Sequence, residues 1–444
     1  MKKEKKIQDY DWLYNLLRYY VDFVLKLSYR NVRYNGLERL PQNSAVIYAP
    51  NHTNALMDAL VILAMDRKPK VFVARADIFK NKTAAKLFRF LKIMPIMRMR
   101  DGIDEVRKND ETIAKAVDVL RDHIPFCIFP EGTHQAKYSS LPLSKGIFRI
   151  AFQAQEMMPD MPLYIVPVGI RYGSFFRFRS TVRVQIGEPI NIGEFVEEHS
   201  FYEQQIQINL LRDMLTERMK SSIFYIPDDE DYAATYEVCA AVVKRQAQLV
   251  KGPSENAHLH PLDVHFKANN RTVWQITHMK EDEPERAAQL LKLGREAAEI
   301  RRSKHISLGS VSIKYPFWSR LLKLIFFLAF LPYCLAVSFF TLPIKIVLAL
   351  IFKKMKDHVF RNSVRYLVNL LMWPVLMLIY GIVAFVVLPW QWALPFTVLL
   401  LPAPIVAHET WRLARLLISD IRFLMNGELR GKYKKIREII FNKK

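Results

Sequence analysis

Between residues 32 and 195, short apolar runs alternate with stretches in which apolar positions recur every three or four residues. The runs are "AVIYAP" from 45, "KVFVARA" from 70, "MPIMR" from 94, "PFCIFPEG" from 125, "LYIVPVGIRY" from 163 and "TVRVQIGEPI" from 181. Short runs of this kind read as strands. Helical spacing fills about 54–65, 80–92, 105–122 and 144–157. The alternation predicts an α/β fold with a mixed, largely parallel sheet flanked by helices, and functional groups at the carboxyl ends of strands. Two expected strand ends, "AVIYAP" before "NHTN" and "PFCIFP" before "EGTH", pass abruptly from apolar to polar residues.

The pattern differs on either side of this region. Residues 10 to 28 place Leu13, Leu16, Leu17, Tyr20, Val21, Val24 and Leu25 at helical spacing, with Arg18, Asp22 and Lys26 interrupting them. Such an amphipathic helix fits packing on a domain and lying in a membrane interface equally well. The basic N-terminus lacks a small-residue cleavage site and does not read as a signal peptide. Residues 197 to 316 are mostly polar and helical in pattern. Beyond Lys323, residues 324–344 carry no charge over 21 positions, and residues 366–407 carry none over 42. About 20 apolar residues cross a bilayer core, so this is expected to be membrane-embedded sequence, with a turn at "LPWQW".

The expected organisation is an amphipathic helix at 1–30, an α/β domain at 31–195, a helical extension at 196–316, membrane segments at 317–410 and a basic helical tail at 411–444. The membrane segments lie at about 324–352, 366–388 and 390–407. The loop 353–365 holds five basic residues, and basic sequence also precedes 324 and follows 407. With all three on the cytoplasmic side, Pro332 and Pro343 would break the first segment into a re-entrant hairpin.

Charge narrows the class of partner. The 444 residues carry 65 Lys and Arg against 43 Asp and Glu, a formal charge of +22, which favours an anionic surface or substrate. The basic residues spread along the chain and flank apolar segments, which argues for a membrane and against nucleic acid. Cys127, Cys239 and Cys334 stand far apart, so neither a disulfide framework nor a thiolate zinc site is indicated, and Cys127 reads as a buried thiol. The spacing of His258, His260 and His265 is compatible with a metal, but no cysteine or carboxylate cluster accompanies them.

Four blocks carry candidate chemistry: "NHTNALMDAL" at 51–60, "MPIMRMRDG" at 94–102, "FPEGTH" at 129–134 and "YIVPVGI" at 164–170. In kind and order they resemble the four motifs of the glycerolipid acyltransferase family, which acylates glycerol 3-phosphate or 1-acylglycerol 3-phosphate (lysophosphatidic acid). The resemblance covers roughly residues 30–195. It implies a fatty acyl group carried in as acyl-CoA or on acyl carrier protein, a glycerol phosphate acceptor, and an active site on the cytoplasmic face of a membrane.

Such a transfer needs a base, because a free alcohol is a weak nucleophile. His52 supplies one, and Asp58 is placed to accept from its other ring nitrogen and fix its tautomer. No metal or cofactor is required by this chemistry. The spacing departs from the family pattern: five residues separate His52 from Asp58 where four are usual, and Met57 stands at the usual acid position. The longer spacing is similar to that of a branch containing fungal glycerol-3-phosphate and dihydroxyacetone-phosphate acyltransferases, which favours glycerol 3-phosphate. Neither five nor six positions of separation returns to one helix face, so His52 must sit in the turn before the helix.

The resemblance also implies phosphate or acceptor binding by Arg98, Glu131 and Gly132. Thr133 and freed backbone N–H groups suit a phosphate, as does a guanidinium at Arg98, and Lys145 opens a predicted helix where anions bind well. An ionised Glu131 would repel a phosphate, so it is expected to accept from an acceptor hydroxyl or to orient a basic group. The other class of function compatible with these residues is a non-catalytic lipid-binding or scaffold protein that keeps the fold.

Overall fold

A computed structural model describes residues 6–96, 109–252, 258–312 and 316–442. The chain divides into two compact units, residues 1–223 with 356–366, and residues 224–355 with 367–444.

The first unit is built on an eight-stranded sheet. Its strands are β1 (Tyr29–Asn35), β2 (Ala45–Pro50), β3 (Val71–Arg75), β4 (Ile93–Ile96), β5 (Phe126–Cys127), β6 (Leu163–Tyr172), β7 (Ser180–Ile186) and β8 (Ile190–Asn191). They lie in the order β1-β7-β6-β2-β5-β3-β4, with β8 beside β6. Only the β6 pairings with β7 and β8 are antiparallel. The sheet is thus mixed and largely parallel, as the alternation predicts. All six residues of β2 are buried, which is why this strand reads as continuously apolar.

Among the described residues this unit has seven α-helices before residue 223: α1 (Trp12–Ser28), α2 (Leu56–Leu63), α3 (Lys82–Phe90), α4 (Asn109–Arg121), α5 (Gly146–Met157), α6 (Ile192–Glu198) and α7 (Gln204–Ser222). Ile47, Phe126 and Ile165 from the central strands share one core with Val117 and Leu120 of α4, Phe148 of α5, and Leu211 and Leu215 of α7. Fully burying such side chains stabilises the fold by about 1.5–3 kcal/mol each.

Helix α1 packs with its charged side inward. Arg18 and Asp22 are buried, while Leu16, Leu17, Tyr19 and Phe23 are exposed. The Arg18 guanidinium donates to the carbonyl oxygens of Leu63, Asp66, Arg67 and Lys68 at 2.5–3.0 Å. These include the unpaired carbonyls at the end of α2, where a cation also meets the negative end of the helix dipole. Two of the three charges that interrupt the apolar pattern in sequence, Arg18 and Asp22, thus face the domain beside Tyr14 and Leu25, while Lys26 is exposed.

The second unit is helical. Helices α8 (Tyr232–Lys251), α9 (Pro261–Asp282), α10 (Pro284–Ser303) and α11 (Leu308–Val311) precede the apolar region, and α12 (Pro316–Phe340), α13 (Leu342–Lys354), α14 (Arg361–Val387), α15 (Trp390–Leu400), α16 (Ala403–Met425) and α17 (Gly427–Phe441) follow. The first turns of α14, to Tyr366, count with the first unit. Val238, Leu290, Leu291, Tyr433 and Ile436 share a core that binds α17 to α8 and α10. Within it, buried Glu237 takes two bonds from Arg301, at 2.7 and 2.9 Å, and one from the Tyr433 hydroxyl.

Phe317–Phe340 and His358–Val387 are long and apolar enough to cross a membrane, and the bent pair α15 and α16 supplies a third candidate if it counts as one span. The break expected at Pro332 is absent, because α12 runs through it and ends only at Thr341, just ahead of Pro343. The turn expected at "LPWQW" falls at Leu388 and Pro389, between α14 and α15.

Candidate functional site

Three neighbouring strands bring the site together. β2 lies between β5 and β6 and runs parallel to both, so the carboxyl ends of all three open on the same side of the sheet. β2 delivers Asn51 and His52, β5 leads into Glu131, and β6 ends at Tyr172. Asn51 locks the first of these junctions by donating to the Ile170 carbonyl at 3.1 Å and accepting from the Ile170 N–H at 2.6 Å.

His52 and Asp58 meet. The His52 Nδ1 lies 2.8 Å from Asp58 Oδ2, and the same oxygen accepts from the backbone N–H groups of Thr53 and Asn54 at 2.8 and 2.7 Å. Asp58 sits in the first turn of α2 and reaches back over the turn that precedes it, in the manner of a capping box. The extra residue in the spacing is absorbed at Ala55, whose φ of +47° and ψ of −127° bend the chain sharply. His52 does lie in the turn and not on the helix.

The other carboxylate oxygen of Asp58 accepts from the Tyr172 hydroxyl at 2.7 Å. Tyr172 is fully buried, and burial followed by the Asp58 charge holds its phenol well above the usual range, so it stays a donor. Asp58 is itself 0% exposed, whereas the His52 side chain keeps 18% of its surface in solvent. The pair therefore has an enclosed acid and an accessible imidazole. The His52 ring stacks on Phe129 at 4.2 Å and meets the ring of His134 edge-on at 5.3 Å.

Glu131 is buried, and neither carboxyl oxygen has a hydrogen bond of standard geometry. Burial pushes its carboxyl up to about 8 and the Asp58 charge adds to this, while the backbone N–H groups of His52 and Leu141 offset only part. Near neutral pH Glu131 is thus largely a neutral acid with an O–H to donate. The repulsion expected between a carboxylate at this position and a phosphate does not apply to that form.

Gly132 and Thr133 are exposed in the loop after β5. Gly132 has φ +63° with open space around a Cβ at that position, so the backbone conformation and not crowding calls for glycine. The Gln135 N–H donates to the His52 carbonyl at 3.1 Å, and the Ser144 N–H to the Pro130 carbonyl at 2.7 Å. The second bond ties the start of α5, with exposed Lys145 just ahead of it, to the loop. Arg98 and Arg100 lie outside the described residues.

The remaining candidates have structural places. Cys127 is fully buried in β5, and burial pushes its thiol up. His260 caps α9, its ring accepting from the Leu262 N–H at 3.2 Å. Phe175, which the sequence did not single out by itself, packs against Tyr138 at 4.7 Å, and its carbonyl accepts from the Asn54 side chain at 3.0 Å. Sequence reasoning passed over Tyr172 and left His134 unassigned. Tyr172 closes an apolar strand whose alternation signals burial alone.

An acyltransferase family model matches residues 31–171. Glycerol-3-phosphate O-acyltransferase 2 of Saccharomyces cerevisiae is 28% identical over 176 residues, which is 39% of this chain and 22% of that protein. A 1-acyl-sn-glycerol-3-phosphate acyltransferase of Borreliella burgdorferi is 21% identical over 46% of this chain and 78% of its own length. Against the yeast relative, then, the chain spans about a fifth of the length. The crystal structure of the lysophosphatidic acid acyltransferase PlsC from Thermotoga maritima aligns over 47% of this chain and 80% of its own, at 19% identity and a TM-score of 0.33, a likeness too weak to carry an argument. Residues 31–171 thus match an acyltransferase domain and are similar to acyltransferases of glycerol phosphates.

Proposed function

We propose that this protein is a membrane-bound O-acyltransferase of phospholipid synthesis. It moves a fatty acyl group from acyl-CoA or acyl carrier protein to the hydroxyl of glycerol 3-phosphate or 1-acylglycerol 3-phosphate. The observation that carries this reading is the His52–Asp58 contact of 2.8 Å at the carboxyl end of the central strand, inside an acyltransferase-family domain.

Asp58 accepts a hydrogen bond from the Nδ1–H of His52, which leaves the Nε2 lone pair as the base. Nε2 takes the proton of the acceptor hydroxyl as that oxygen attacks the thioester carbon. The tetrahedral intermediate collapses, the carbon–sulfur bond breaks, and the imidazolium returns the proton to the leaving thiolate. The products are an oxygen ester and a free thiol, with no acyl-enzyme and no metal or cofactor. Protonated Glu131 donates to an acceptor oxygen, while Gly132, Thr133, Lys145 and Arg98 hold the phosphate.

The apolar helices and the outward apolar side of α1 support attachment to a membrane, with the site on the cytoplasmic face beside its lipid product. The test is a substrate panel with the purified full chain in detergent, pairing each donor with each acceptor and identifying the product by mass spectrometry. A single ester from one pairing supports the reading and names the substrates. No ester from any pairing favours a lipid-binding scaffold.

A further inference from the structure

Residues 356–366 stand in sequence between the apolar helices α12–α13 and the greater part of α14, yet they pack with the first unit. They touch its candidate site in two places. Asp357 Oδ2 lies 3.0 Å from His134 Nε2, and the Phe360 ring meets the His134 ring edge-on at 4.9 Å. The Val359 N–H, then His134, holds the Asp357 carboxyl below the usual range, so it is a carboxylate that accepts a hydrogen bond from the His134 Nε2–H. His134 is thereby bracketed between Phe360 and His52.

The second contact is deeper. The Asn362 side-chain amide donates to the Tyr29 hydroxyl at 3.2 Å in a buried setting. The Tyr29 ring packs against the Tyr172 ring with centroids 5.9 Å apart, and the Tyr172 hydroxyl donates to Asp58 at 2.7 Å. A contiguous series therefore runs from Asn362, which donates to Tyr29, through the packed Tyr29 and Tyr172 rings to the Tyr172 hydroxyl, which donates to Asp58. In a buried, close-packed series of this kind, loss of one partner is felt by its neighbours.

We infer that residues 356–366 are a working part of the active site, with Asn362 a positioning residue that acts on the His52–Asp58 pair through Tyr29 and Tyr172. The inference rests on the acyl-transfer reading proposed for His52. It implies that catalytic geometry is set partly by a segment that the apolar helices flank in sequence. Through that connection, a displacement of the segment would be read directly at His52.

The test is a double-mutant cycle in the full-length protein in detergent, with Asn362→Ala, Tyr29→Phe and the two combined. Each single change is expected to lower kcat about tenfold, as loss of an outer partner of an oriented histidine does, with the donor KM little changed. The combined variant is expected to be no slower than Tyr29→Phe alone, because Tyr29→Phe already removes the hydroxyl that Asn362 meets. Asn362→Asp keeps the shape without the donor and should match Asn362→Ala; a thermal melt establishes that each variant is folded. Additive losses, or an unchanged kcat, would overturn the inference.

A second readout separates it from failure of the proposed function. If the wild type turns over no substrate, the rate at which diethyl pyrocarbonate modifies His52, measured by peptide mass spectrometry, reports the imidazole directly. A rate altered in Asn362→Ala and Tyr29→Phe, and altered no further in the combined variant, supports the coupling. An unaltered rate refutes it whatever the protein's substrates are.

Discussion

A buried carboxyl with no well-formed hydrogen bond is costly to ionise, and Glu131 is such a group. Its folded value of about 8 lies above the ordinary 4.5. Below pH 4.5 both folded and unfolded chains hold the proton, and Glu131 exacts no penalty. As pH rises from 4.5 to 8 the unfolded chain releases it while the folded chain does not, so stability falls across that window. Glu131→Gln keeps the shape and cannot ionise. It is expected to melt above the wild type at pH 8, by the equivalent of a few kcal/mol, with the gap closing toward pH 5. Equal melting temperatures across this range would mean that Glu131 is ionised in the folded protein. The same substitution tests the role proposed for its O–H: acceptor KM should rise while donor KM stays constant.

At the scale of elements, the turn from β2 into α2 carries both the geometry and the strain of the site. Ala55 holds φ +47° with ψ −127°, a conformation natural to glycine and costing other residues on the order of 1–3 kcal/mol. Ala55→Gly is therefore expected to raise the melting temperature by a few degrees, despite glycine's greater freedom in the unfolded chain. A lower melting temperature would contradict the assignment of strain.

This turn also marks how far the sequence can be read. The residue types of "NHTNALMDAL" pointed to a base and an acid, and helical geometry alone required His52 to precede the helix. The positive φ that brings them together has no sequence signal, because alanine does not announce it. The sheet was legible because its buried strands are continuous apolar runs between helical ones. The partners of the pair were not. Tyr172 looks like any residue of a buried strand, and Asn362 lies some 300 residues along the chain in a segment whose charge suggested only a membrane-side loop. Long-range hydrogen bonds of this kind leave no local periodicity. Pro332 misled in the other direction, since proline removes a single N–H and the rest of α12 continues around it.

At the scale of the whole molecule, two of the described helices are long and apolar enough to cross a membrane, and α1 adds an outward apolar surface on the first unit. Leu16, Leu17 and Phe23 face outward because Arg18 and Asp22 face in. On this account a photoreactive lipid should label α1 on peptides carrying those three side chains when the protein is in a bilayer. Replacing Leu16 and Phe23 by glutamate should abolish the label while leaving the helix folded. Labelling confined to α12 and α14 would place α1 away from lipid.

The central claim is that His52, oriented by Asp58, is the base of an acyl transfer to a glycerol phosphate hydroxyl. The most direct measurement is the kcat/KM of the full-length protein and of His52→Ala, using labelled acyl donor with glycerol 3-phosphate and 1-acylglycerol 3-phosphate in turn. Losing the general base should reduce the rate by about 10²–10⁴-fold, with the melting temperature nearly unchanged. Equal rates in the two proteins would contradict the account and return His52 to a structural residue of the turn.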